Sequence, residues 1–224
     1  MCGRKYVAEG LNWQQYKEKL TLTTPPPQTN LEPNYNIAPT QTVLVCVFEE
    51  GRRLLKFLKW GLVPFWAKDQ KIGAKMINAR SESLEQKKSY SPLLLSHRCI
   101  VPVSGFYEWK RDGNFKQAHA IRRKDHEPLL MAGLWTENKL LEIGTYTVIT
   151  RDANDVIRKI HHRMPAILHP DQVSTWLEGE WPKANSCLND SYLGDELEVH
   201  PVSNDVGNVR NNSKYLSDPL RSLF

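Results

Sequence analysis

Short apolar runs, each cut off by a turn signal before it can become a long helix, constrain this chain most. TVLVCVF (42–48) and LLKFLKW (54–60) flank EEGRR, the pattern of a β-hairpin. RCIVPVSGFYEWK (98–110) and FKQAHAIRRK (115–124) flank RDGN, whose Asp-Gly pair is a strong tight-turn signal. PLLMAGLWTE (128–137) and IGTYTVIT (143–150) read as two further strands, and ELEVHPVSNDV (196–206) as a last one. Helical spacing is rarer. It occurs in LNWQQYKEKL (11–20), in SESLEQ (81–86) with an extension through YSPLLL (90–95), in NDVIRKIH (154–161), and in DQVSTWLEG (171–179) behind Pro170. Many strands with interspersed helices give an α+β class. The expectation is a single domain over 1–224, with a curved, barrel-like, mostly antiparallel β-sheet system, a few flanking helices and a short tail at about 213–224.

A chain of 224 residues can bury one sizeable core, and TLTTPPPQTNLEPNYNIAPT (21–40) reads as an ordered loop within it rather than a linker. Thirty Lys and Arg against 25 Asp and Glu leave a net charge of +5, which suits an anionic partner such as nucleic acid without requiring one. The four cysteines, Cys2, Cys46, Cys99 and Cys187, show no CxxC spacing, so no metal site is expected. Cys46 and Cys99 lie in apolar runs and read as small core residues. No leader-like or membrane-length apolar stretch is visible. A cytoplasmic monomer without cofactor or membrane partner is therefore expected, on the nucleoid if its anionic partner is DNA.

The chemistry starts at MCGR. If Met1 is removed, Cys2 carries a thiol and a free α-amine on adjacent carbons, with Arg4 close by to depress the thiol. The amine can serve as base for its own thiol, as in N-terminal nucleophile hydrolases. It can also condense with an aldehyde, after which the thiol closes a five-membered thiazolidine. In MINARSES, Asn78 offers a neutral donor and acceptor and Arg80 a planar fork for phosphate, or else this is a helix start with a solvated arginine. In SGFYEWK, strand alternation turns Glu108 away from Tyr107 and Trp109, toward a cleft or toward solvent. IHHRMPAIL places His161, His162 and Arg163 at a helix-to-strand corner, as caps or as a proton donor beside a phosphate clamp. KWGLVPFW sets Trp60 and Trp66 beside basic residues, for base stacking or for core packing.

Eight stretches then occur in one order: MCGR, YNIAPT, KWGLVPFWA, INARSES, RCIVPVSGFYEWK, VITRDAN, IHHRMPAIL and HPVSNDVGNVRNN. Together they resemble the SOS-response-associated peptidase family, also described as abasic-site-processing proteins. The resemblance implies an enzyme that binds single-stranded DNA and joins covalently to its abasic sites through Cys2 once Met1 is gone, with a lyase-like cross-linking chemistry and self-removal of Met1. By motif, Cys2 is the nucleophile, Asn78 orients its α-amine, Glu108 moves protons and His161 assists the imine stage. Arg4, Arg80 and Arg163 hold phosphates, while Pro39, Trp66 and Trp109 wall the flanking bases. Thr150, Asn208 and Arg210 line the site. Three other readings compete: an N-terminal nucleophile amidotransferase, whose Gly-His-x-Arg-Trp and Asn-Gly-Asp motifs are absent here, a thiol peptidase acting on other proteins or only on Met1, and a single-strand-binding module without chemistry.

Overall fold

The computed structural model describes residues 2–22, 31–189 and 193–220. In chain order the elements are β1 (Arg4–Val7), α1 (Trp13–Leu20), β2 (Asn34–Ile37), β3 (Thr42–Glu49), β4 (Arg52–Trp60), β5 (Asn78–Arg80), β6 (Arg98–Val103), β7 (Gly105–Asp112), β8 (Phe115–Arg123), β9 (Leu129–Asn138), β10 (Ile143–Asp152), α2 (Asp155–Arg158), β11 (Arg163–Pro165), β12 (Ile167–Leu168), α3 (Val173–Glu178), α4 (Trp181–Ser186) and β13 (Leu197–Pro201). The α+β reading holds. The proline-rich stretch 23–30 of the expected loop lies outside the described residues.

Strands β10, β4, β3, β6 and β9 pair in that order, and β9 returns to β10, so five strands close a barrel. All pairs are antiparallel except β10 with β4. A second sheet, β13-β8-β7-β1-β2, lies against it. One apolar cluster joins the two, running from Cys2, Ile37, Phe106 and Ile121 to Val45, Trp60, Val101 and Tyr146. The turns act as their residues suggest. Glu50 and Gly51 take positive φ between β3 and β4, and Gly113 takes φ 54° between β7 and β8.

At one end of the barrel β9 and β10 diverge, and the chain from Arg163 to Leu168 fills the gap. Its β11 pairs with β10, its β12 pairs with β9, and Ala166 between them bonds to Ile149 and Ala132. On the other edge of β10, β5 continues where β4 leaves. This splayed end collects Asn78, Thr150 and the His161 corner. Gly61 makes the departure of β4 possible. Its φ of +121° suits glycine, and a Cβ there would stand 2.5 Å from the Gly73 carbonyl oxygen.

Three expectations are corrected. SESLEQ through YSPLLL is not a helix but two 3-10 turns, Ser81–Ser83 and Ser91–Leu93. Its serines and Pro92 are weak interior helix formers, and Leu84, Leu93 and Leu94 reach the core without helical periodicity. RCIVPVSGFYEWK is two strands in different sheets. The chain changes sheet at Ser104, whose N–H donates to the Tyr6 carbonyl and whose hydroxyl accepts from Ala8 N–H. ELEVHPVSNDV stops as a strand at Pro201 and continues as a 3-10 turn over Asn204–Gly207. The helix α4, which opens on Trp-Pro, is an addition to the reading.

Arg98 clamps the helical layer to the barrel. Its buried guanidinium donates to the carbonyls of Leu94, Leu95, Trp176, Leu177 and Gly179, which satisfies the C-terminal carbonyls of α3. Arg98→Met strands these acceptors in an apolar setting. It is expected to lower unfolding free energy by roughly 3–5 kcal/mol in urea titration; a loss below about 1 kcal/mol would show that water replaces the clamp. No helix among the described residues is long and apolar enough to cross a membrane.

Candidate active site

Cys2 precedes β1, which pairs antiparallel with β7 in the register Arg4–Tyr107 and Lys5–Phe106. This register brings the start of the chain alongside Glu108. The side chain of Cys2 is 1% exposed. From the barrel side, Asn78 Nδ2 on β5 donates to the Cys2 carbonyl oxygen at 2.9 Å. Asn78 therefore grips the carbonyl of Cys2, a contact the motif reading did not include. Its own Oδ1 is buried without a hydrogen-bond partner among the described residues.

Glu108 is 4% exposed on β7. Its neighbours behave as strand alternation requires. Phe106 belongs to the cluster that holds Cys2, while Tyr107 and Trp109 pack on the opposite face with Tyr6, Tyr35 and Val206. Glu108 thus faces away from that aromatic group, on the side of Cys2 and His161. Its charge reaches both partners, raising the Cys2 thiol and opposing the effect of burial on His161. His161 itself is held below the ordinary histidine range, chiefly by burial. Its Nδ1 lies 3.0 Å from the Arg163 N–H and 3.2 Å from the Arg163 carbonyl oxygen, so the backbone of Arg163 fixes the ring. His162 is exposed and stacks on His161 at 4.4 Å.

The thiol is where the sequence expectation fails. Burial pushes Cys2 up to about 12. Arg4 does not offset this, because its guanidinium turns away to the carbonyls of Gly3 and Gly207. Lys5, which the motif reading passed over, is the largest of the charges that lower the thiol, ahead of the N-terminal amine. Lys5 is fully buried against Trp60 and Tyr146. Trp60 is accordingly a core residue, and its indole N–H donates to the Ile77 carbonyl next to Asn78.

The other named residues fall into two groups. Arg80 is exposed beside Asn78, Trp66 is 53% exposed, Arg210 and Asn208 are exposed, and Arg4, Pro39 and Trp109 are half-buried. Trp66 shares its loop with Phe65, also exposed, and Asn138 holds that loop through the carbonyls of Pro64 and Ala67. Asn36 likewise pins the 204–212 segment through the carbonyls of Asn208 and Asn211. Neither asparagine stood out in the sequence. Thr150 is fully buried, within 3.5 Å of the Ala79 carbonyl, and holds β5 on β10. Arg163 departs from the phosphate-binding expectation. It is 5% exposed, forks onto Glu82, and also binds Asp152 and the Thr150 carbonyl. Those bonds fix the corner that carries His161. Among the described residues no three His, Cys, Asp or Glu side chains gather at metal-holding spacing.

The family model described as SOS response associated peptidase matches residues 1–209. The chain belongs to this family. It is similar to the abasic site processing protein YoaM of Bacillus subtilis, with 39% identity over 86% of this chain and 87% of that one. It is also 37% identical to the abasic site processing protein YoqW of the same organism, over 96% of this chain and 98% of that one. Among solved structures, a phage-related protein from Bordetella bronchiseptica superposes with a TM-score of 0.71 at 27% identity, covering 90% of this chain and 94% of that one.

Proposed function

We propose that this protein binds single-stranded DNA and captures abasic sites covalently through Cys2, after loss of Met1. The observation that carries this reading is the seating of Cys2 between the Asn78 amide and the charge of Glu108. The names of the family relatives supply the substrate class. An abasic deoxyribose equilibrates with an open aldehyde that an intact strand lacks. The α-amine of Cys2 adds to that carbon and water leaves, giving an imine. The thiol sulfur then adds to the same carbon, its proton passes to nitrogen, and a thiazolidine closes.

Each residue has a defined part in this scheme. The unpartnered Asn78 Oδ1 accepts from the exposed α-amine and aims its lone pair. Glu108 moves protons at the sugar carbon, and His161 assists the imine stage. Arg4, Arg80 and Arg210 meet phosphates, Asn208 lines the strand's path, and Pro39, Trp66 and Trp109 receive bases.

The test is a denaturing gel after incubation with a single-stranded oligonucleotide carrying one abasic site. A shifted band is expected with that strand and none with the intact one; equal bands, or none, would defeat the proposal. Arg80→Ala is expected to weaken binding to intact single strands and to reduce the slope of log affinity against log salt by about 0.7, the share of one phosphate. Fluorescence anisotropy at several salt concentrations measures it, and an unchanged slope would remove Arg80 from the phosphate contacts.

A further inference from the structure

The chain between Trp66 and Arg80 carries Lys68, Lys71 and Lys75, and the scheme above uses none of them. All three are exposed. Lys59, at the end of β4, reaches the same segment, its Nζ donating to Gln70 Oε1 at 3.1 Å. None of these four ammonium groups forms an ion pair among the described residues. The carboxylate next to them in sequence, Asp69, serves the backbone: its Oδ1 accepts from the Lys71 N–H at 2.9 Å.

A close backbone approach gives this region its shape. A Cβ on Gly73 would stand 2.6 Å from the Gly61 carbonyl oxygen, the counterpart of the crowding at Gly61. The 3-10 turn Gln70–Lys75 therefore lies backbone to backbone on the end of β4, and the Leu62 N–H donates to the Met76 carbonyl behind it. Between this turn, β4 and Thr40 is a cavity of about 350 Å³, within the range of roughly 300–1,000 Å³ found for small-molecule sites. Lys59 and Lys71 line it with Thr40 and Gln70, and Val63 and Ala74 add apolar surface. The cavity adjoins the expected path of the strand twice. Thr40 follows Pro39, and Val63 enters the loop that carries Trp66. Thr40 also holds φ at 74°, a conformation that β-branched residues rarely adopt, with its N–H on the Trp60 carbonyl. Backbone strain of this kind collects at ligand sites.

We propose that this cavity is a subsite for the strand beyond the wall of Pro39 and Trp66, with Lys59 and Lys71 on its backbone phosphates and the adjoining nucleotide against Val63 and Ala74. The inference rests on the DNA reading above. Charge decides the occupant. Lysines without carboxylate partners repel a basic segment and attract a phosphodiester, and point charges on flexible stems hold a backbone whatever its sequence. A free nucleotide carries the same phosphate chemistry, and competition separates the two sources.

The readout is the concentration of an abasic single strand that half-saturates adduct formation, followed across salt. Lys59→Gln/Lys71→Gln should raise it and reduce its salt slope by about 0.7–1.4, the share of one or two phosphates on a single strand. Lys59→Arg/Lys71→Arg keeps the charge and should keep the slope. Lys17→Gln/Lys124→Gln removes two exposed charges from α1 and from the end of β8 and should leave the slope unchanged. An equal fall in the two glutamine pairs would assign the effect to net charge and overturn the subsite. Attachment at the abasic nucleotide fixes the register, so the strand can be shortened from either end. The effect of Lys59→Gln/Lys71→Gln should vanish when one flank, and only one, is trimmed back to that nucleotide. An effect that survives either trimming, or no effect at all, would overturn the proposal. Thymidine monophosphate should not compete with the strand. Competition that Lys59→Gln/Lys71→Gln abolishes would give the cavity to a free nucleotide instead. Thermal melts confirm that the variants fold. No adduct with the wild type would sink the DNA reading and the subsite with it, while wild-type adducts with unchanged slopes in the variants would sink the subsite alone.

Discussion

Cys2→Ala is expected to form no adduct that survives a denaturing gel, a loss of several orders of magnitude against the wild type. The substitution leaves an α-amine at the same place, so an imine can still form, but imines hydrolyse and no second nucleophile is left to trap the carbon. Affinity for intact single strands should stay within about twofold, because Arg4, Arg80 and Trp66 carry that binding in the proposal. The buried cysteines cannot substitute. Cys46 and Cys99 are fully enclosed and Cys187 packs in the helical layer, away from the Cys2 cluster. Sodium borohydride should recover a reduced adduct from the alanine variant and thereby report the amine step on its own. A stable, heat-resistant band from Cys2→Ala at wild-type yield would assign the chemistry to another residue.

Glu108→Gln carries the second large effect. Single-turnover adduct formation should slow by roughly 10²–10⁴-fold, the usual range for a lost proton-transfer group, with little change in strand affinity. The sign is informative. The negative charge of Glu108 raises the Cys2 thiol and supports protonation of His161. Removing it makes the thiol easier to ionise, so a purely electrostatic role predicts a faster thiol step. A slower reaction in spite of that gain identifies proton transfer as the contribution of Glu108. Wild-type or faster kinetics would remove it from the chemistry.

Turn chemistry made the hairpins legible, since EEGRR and RDGN specify local geometry without help from the rest of the chain. Sheet membership was not legible. RCIVPVSGFYEWK looks continuous, yet it switches sheets at Ser104, beside a Gly105 where any Cβ would meet the Tyr6 hydroxyl and the Ile121 carbonyl oxygen. The SESLEQ segment misleads because its leucines answer to the barrel wall rather than to a helical repeat. At the candidate site, the resemblance named residues that the fold does place around Cys2: Asn78 by hydrogen bond, Glu108 by register, and His161 through its interaction with Glu108. Spacing along the chain could not assemble them, because β10 and its neighbours do so in three dimensions. Arg4 and Lys5 show the limit most clearly. Arg4 read as the cation beside the thiol and Lys5 drew no reading, yet Arg4 turns to the carbonyls of Gly3 and Gly207, and Lys5 enters the barrel. Side-chain direction at a strand end is set by tertiary packing that a single sequence does not display. Arg163 repeats the lesson: a guanidinium expected at phosphate is already forked onto Glu82.

The most direct measurement is the intact mass of the band formed with an abasic single-stranded oligonucleotide. The expected mass is that of the chain without Met1 plus the oligonucleotide, less one water, as condensation through amine and thiol requires. An adduct that retains Met1, or one that has not lost water, would contradict capture by the paired nitrogen and sulfur of Cys2.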